Sequence, residues 1–144
     1  MFQRIMLAWD GSAVSRRAFD IAIDLSRRYE SDLVAVSVAY SPAHAETGAD
    51  RLESADAARR YLQTTFDAVR DRAERVGVPL EHRVVDGDDP SQALLDFSHE
   101  HGFDLIVAGH HHGARAGRLL LRGVPEKLVA RSGVPVMIVG ERDT

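Results

Sequence analysis

The residues best suited to chemistry follow an apolar run, Leu105-Ile106-Val107, that ends at Ala108-Gly109. The loop beyond it carries glycines at 109, 113, 117 and 123, histidines at 110, 111 and 112, and arginines at 115, 118 and 122, before Pro125 to Arg131 reads as a helix. A strand, a glycine-containing loop and a helix start together form an arrangement in which backbone N–H groups hold an anion. Guanidinium groups add donors suited to phosphate. The plain alternative is a solvated basic loop whose Leu119-Leu120-Leu121 packs on the core. Three histidines in a row suggest a metal. Adjacent loop residues do not converge on one centre, however, and no carboxylate stands at helical spacing beside them, so no metal site is expected. They read instead as polar loop with some pH sensitivity near neutrality.

A second polar group, Asp10, ends the apolar run Ile5-Met6-Leu7-Ala8-Trp9. By itself it reads as a turn residue capping the helix that starts at Ser12. Trp9 beside it reads as core or as a crevice wall. The sequence holds no G-x-S-x-G, no H-E-x-x-H and no Walker lysine after its glycines, and no base and nucleophile can be paired, so enzymatic turnover is not expected.

The elements that must position these groups alternate. Ile5 to Trp9 reads as a strand covered on both faces. A helix from about Ala13 to Tyr29 follows, with Ser12 or Ser15 as N-cap and Val14, Ala18, Ile21, Ala22, Leu25 and Tyr29 at helical spacing. Leu33 to Ala39 is a second internal strand. Ser41 to about Asp50 has no period and reads as a mobile loop or lid. A long helix is expected from about Arg51 to Val76, with Leu52, Ala55, Ala58, Leu62, Phe66, Val69, Ala73 and Val76 on one face and Gly77 and Pro79 ending it. Leu80 to Val85 alternates charged Glu81 and Arg83 with His82 and Val84, a pattern that suits a sheet edge. Asp89 as N-cap and Pro90 at the first turn open a helix to His101, stopped by Gly102. Pro135 to Val139 is the last strand. The sum is α/β: five strands and four crossover helices, which specifies a doubly wound parallel sheet with helices on both faces.

Composition bounds the function. With 144 residues the chain is expected to be one domain with its own core. The absence of cysteine excludes disulfides, thiolate metal sites and cysteine nucleophiles. A formal charge of −4 argues against a general nucleic-acid binder, which needs a concentrated basic face. Apolar runs are too short for membrane insertion, and the start, Met1-Phe2-Gln3-Arg4, does not read as a signal peptide; the expected compartment is the cytoplasm.

Several stretches taken together resemble the universal stress protein family over nearly the whole chain. They are Trp9-Asp10-Gly11-Ser12 with Ser15 and Ala18, Gly87-Asp88-Asp89-Pro90, Phe103 to Gly109, and Gly133-Val134-Pro135 to Val139. The resemblance implies a Rossmann-like sheet in the order 3-2-1-4-5, with a crevice between Asp10 and the Gly109 loop. It also implies a homodimer through the last strand and a role in stress tolerance. The adenine-nucleotide site it implies comprises Ala8, Trp9, Asp10, Val38, Ala108, Gly109, His111, His112, Gly113, Arg122, Gly123 and Val124.

Family members that hold ATP carry G-x-x-G, nine residues, then G-Ser/Thr. An ungapped reading from Gly109 puts His112 and Arg122 on the second and third glycines and Gly123 on the hydroxyl. One inserted residue recovers Gly113 and Gly123 but leaves Val124 in place of the hydroxyl. Neither register retains that hydroxyl, so the loop resembles an eroded ATP site. The ungapped register predicts that Arg122→Gly with Gly123→Ser strengthens ATP binding; the inserted one predicts that it weakens it.

Two functions are therefore weighed. One is a cytoplasmic stress-response or regulatory binding module with an eroded ATP loop. The other is an adenine-nucleotide switch or slow ATPase using Asp10, Val38, Gly109, Gly113 and Gly123. The dimer has separate grounds: Pro135 to Val139 is an apolar strand at a sheet edge, and an unpaired apolar edge is an aggregation hazard unless a second copy covers it.

Overall fold

The computed structural model describes residues 1–40, 48–110 and 123–141. The elements run β1 (Arg4–Ala8), α1 (Ala13–Tyr29), β2 (Asp32–Tyr40), α2 (Gly48–Arg75), β3 (Leu80–Gly87), α3 (Pro90–His101), β4 (Leu105–Gly109), α4 (Val124–Arg131) and β5 (Val136–Val139). All strand pairs are parallel, and the sheet order is β3-β2-β1-β4-β5. The expected alternation and order are thus both present. No helix among the described residues is long and apolar enough to cross a membrane.

Local chemistry sets the helix ends. Ser12 caps α1 by accepting from the Ser15 N–H, and the chain leaves α1 through Glu30 in the left-handed region, whose N–H donates to Ser26 O. Asp89 caps α3 with Pro90 in the first turn, and Gly102 ends it at φ 67°. Beyond α2, Gly77 at φ 73° allows Gly77 N–H to reach Glu74 O and Val78 N–H to reach Ala73 O, the paired bonds of a Schellman end. The long helix starts at Gly48, three residues ahead of its expected start at Arg51, and ends one residue early at Arg75. The first-turn residues lack the apolar period that marks the rest, so periodicity alone begins the helix late. The remainder of the expected Ser41–Asp50 loop, residues 41–47, lies outside the described residues.

The continuous apolar strands divide by parity into two cores. Ile5, Leu7 and Trp9 face α1 and α2, packing with Phe19, Phe66 and Val69; Met6 and Ala8 face α3 and α4, with Leu94, Phe103 and Leu128. On α1 the buried stripe is Val14, Ala18, Phe19, Ala22 and Ile23, while the expected Tyr29 is 44% exposed and Ile21 and Leu25 are only partly buried. The stripe is rotated because Phe19 completes an aromatic cluster with Trp9 and Phe66, at centroid distances of 5.9 and 6.1 Å. β3 is an edge, as its charges suggest: Glu81 and Arg83 are exposed and paired to each other.

Candidate functional site

The order reverses at β1 and β4, which lie side by side, so their C-terminal ends open the crevice where parallel α/β sheets place ligands. The Trp9 N–H continues the ladder to Val36 O at 3.0 Å, and the His110 N–H bonds Val139 O at 2.8 Å. Between them stand Asp10 and Gly109.

Asp10 is 2% exposed. Its Oδ1 accepts from the Ser12 N–H at 2.9 Å and from the Ser12 hydroxyl, whose oxygen in turn accepts from the Ser15 N–H at 3.2 Å. The carboxylate therefore ties the β1 turn to the start of α1, as the turn-residue reading requires. Gly11 within this turn has φ 82°, and a Cβ there would meet Thr65 of α2 at 2.9 Å, so only glycine fits.

The site residues proposed from the sequence separate by face. Ala8, Val38, Ala108 and Val124 are all buried in the α3/α4 core, meeting below the crevice. Trp9 points the other way. Its indole is fully buried against Phe19 and Phe66 and donates to Thr65 Oγ1 at 3.2 Å, so its side chain belongs to the α1/α2 core, and it meets the crevice side through its main chain. Gly109 presses on α1: a Cβ would lie 2.8 Å from Val14 Cγ1. Gly123 has φ 75° and caps α4 without a side-chain bond. His111, His112, Gly113 and Arg122 lie outside the described residues, as do Arg115 and Arg118.

Three polar groups on or beside the sheet were not singled out as a site from the sequence. Ser37 is fully buried within the apolar stretch Leu33 to Ala39 of β2; its hydroxyl donates to Trp9 O at 2.7 Å and contacts His82 Nε2 at 2.9 Å. A lone serine inside an apolar strand was the available signal. His82 stacks on Phe66 at 4.2 Å and titrates at about 4, because burial opposes its charged form and Arg70 repels it, Asp67 acting the other way. At the loop's far side Glu126, in the first turn of α4, meets His110 Nε2 at 2.7 Å; the Glu126 carboxyl is held below its ordinary range by its own backbone N–H and then by His110. Among the described residues no group of three His, Cys, Asp or Glu side chains is placed to hold a metal.

Two cavities, of about 410 and 290 Å³, open elsewhere, at the N-terminal ends of β2 and β3 around Pro79. The strand reversal and the buried Asp10 favour the crevice at the C-terminal ends as the site.

Comparison with known proteins agrees with this geometry. The profile of the "Universal stress protein family" matches residues 1–140. A universal stress protein of Thermus aquaticus, from the QAH/OAS sulfhydrylase 3' region, is 30% identical over 96% of this chain and 99% of its own. A crystal structure of a family protein from Burkholderia pseudomallei is 27% identical with a TM-score of 0.77, covering 96% of both chains. A universal stress protein solved in complex with cAMP is 27% identical with a TM-score of 0.72, covering 96% of this chain and 97% of its own. With the strand order, the crevice between Asp10 and Gly109, and a match over nearly every residue, this chain belongs to the universal stress protein family.

Proposed function

We propose that the chain is a cytoplasmic stress-response regulator that binds an adenine nucleotide without turning it over, and that its departures in the loop weaken its hold on a triphosphate. The observation that carries the reading is the juxtaposition at the strand reversal: the Asp10 turn of β1 stands beside the Gly109 end of β4, with Ala8, Val38 and Ala108 packed beneath. A buried acid beside an apolar floor suits a ribose hydroxyl and a base. The cAMP complex of a relative at 27% identity supports the same ligand class, and cAMP carries a single phosphate. A ligand with one phosphate asks less of a loop in which neither register supplies the phosphate-binding hydroxyl. Calorimetric titration with AMP, cAMP and ATP tests the reading. A monophosphate is expected to bind at least as tightly as ATP, with no sustained phosphate release in the presence of Mg²⁺. Absence of binding by all three, or steady ATP hydrolysis above that of a loop-deleted control, would overturn it.

The same chain is proposed to act as a homodimer through β5. Val136, Met137 and Ile138 are only partly buried at the sheet edge, and pairing with a second copy satisfies the backbone and covers these side chains.

A further inference from the structure

We propose that Ser37 and His82 are positioning residues for the Asp10 turn, acting through a chain of hydrogen bonds from the His82 ring to the Ser37 hydroxyl to the Trp9 carbonyl. The proposal rests on the nucleotide reading above, since it assigns Asp10 to the ligand, and it extends the determinants of the crevice to strand β3 at the far edge.

The direction of the chain follows from proton counting. The Trp9 carbonyl only accepts, and Ser37 Oγ lies 2.7 Å from it, so the single hydroxyl proton of Ser37 is committed there. The contact of 2.9 Å between Ser37 Oγ and His82 Nε2 must then be a donation from His82, which makes the ring the Nε2–H tautomer with a bare Nδ1. The stack on Phe66, at 4.2 Å and 27°, holds the plane of the ring.

What this holds is the last backbone unit before Asp10. Trp9 is gripped at each of its polar atoms: its N–H by Val36 O at 3.0 Å, its carbonyl by Ser37, and its indole N–H by Thr65 at 3.2 Å. Thr65 also fills the space that a side chain at Gly11 would need. The carbonyl of Trp9 and the N–H of Asp10 share one planar peptide, so fixing the first orients the second. Asp10 then spends Oδ1 on Ser12, and the turn is held from both sides. Loss of the Ser37 bond leaves a buried carbonyl unpaired and releases the plane on which Asp10 hangs. Arg70 and Asp67 of α2 are the charged groups that act on the ring, one repelling and one favouring its charge.

Three variants and one measurement on the unaltered chain test the assignment. Ser37→Ala removes the relay, His82→Phe keeps the stack and removes the donor, and His82→Gln keeps a donor. AMP affinity at pH 7.5 is expected to fall about five- to tenfold in the first two and to stay within about twofold in His82→Gln. Trp9 is the only tryptophan, so its fluorescence reports the same site without ligand; its emission should shift in Ser37→Ala and His82→Phe and not in His82→Gln. In the wild type, carbon and nitrogen shifts of the His82 ring should report protonated Nε2 and bare Nδ1, a readout that needs no variant to fold. The opposite tautomer, or emission and affinity alike in all four proteins, overturns the proposal. If no protein binds AMP while tautomer and emission behave as expected, the relay stands and the nucleotide reading falls.

Discussion

Gly109 at the end of β4 and Val14 in the first turn of α1 approach so closely that a Cβ at 109 would lie 2.8 Å from Val14 Cγ1 and 3.1 Å from the Val14 carbonyl carbon. The first glycine of the loop thus has a packing reason independent of any phosphate: it lets the start of α1 lie against the strand beside β1. Gly109→Ala is expected to destabilise the chain by about 1–3 kcal/mol, and Val14→Ala in that background to recover only part, because the backbone contact persists. Urea denaturation of the single and double variants checks this, and an unchanged midpoint for Gly109→Ala would contradict the close approach.

His82 makes stability depend on pH in a stated direction. Its folded pKa of about 4 lies below the ordinary 6.5, so the folded state favours the neutral ring. Its contribution is fully present above about pH 6.5, is lost as pH falls from 6.5 toward 4, and falls no further below that. Discounted for the ring's partial exposure, the loss is about 1–2 kcal/mol. Denaturation of wild type and His82→Phe at pH 7 and pH 4.5 isolates this contribution. The wild type should lose more stability between the two, and parallel losses would refute the assignment.

Gly123 precedes α4 at φ 75°, a conformation that costs other residues about 1–2 kcal/mol. The position behaves as a loop glycine, which favours the inserted register over the one that wants a serine there. Arg122→Gly combined with Gly123→Ser is accordingly expected to weaken ATP binding and lower thermal stability. A gain in ATP affinity on calorimetric titration would restore the ungapped register.

Ile138 is partly exposed on β5, the strand at the sheet edge. If two copies pair there, light scattering at micromolar concentration gives twice the 15.9 kDa chain mass, and Ile138→Lys shifts it toward the monomer by placing a charge in the contact. A wild type that remains monomeric would remove the dimer.

Much of this fold was legible in local sequence. Ser12, the Asp89-Pro90 pair, Gly77 and Gly102 mark helix ends because a cap is made by residues within a few positions of one another. The apolar runs of β1, β2 and β4 declare strands buried on both faces, and the charges at 81 and 83 declare an edge. The strand order came from resemblance and not from pattern, since alternation fixes the elements without ranking their neighbours. Tertiary structure alone decided which way Trp9 points, why residue 109 must be glycine, and that Ser37 and His82 meet across 45 positions of chain. Periodicity assigns a side chain to one face of its own element. The partner waiting on that face is set by how separate elements pack, and nothing in the residues adjacent in sequence encodes it.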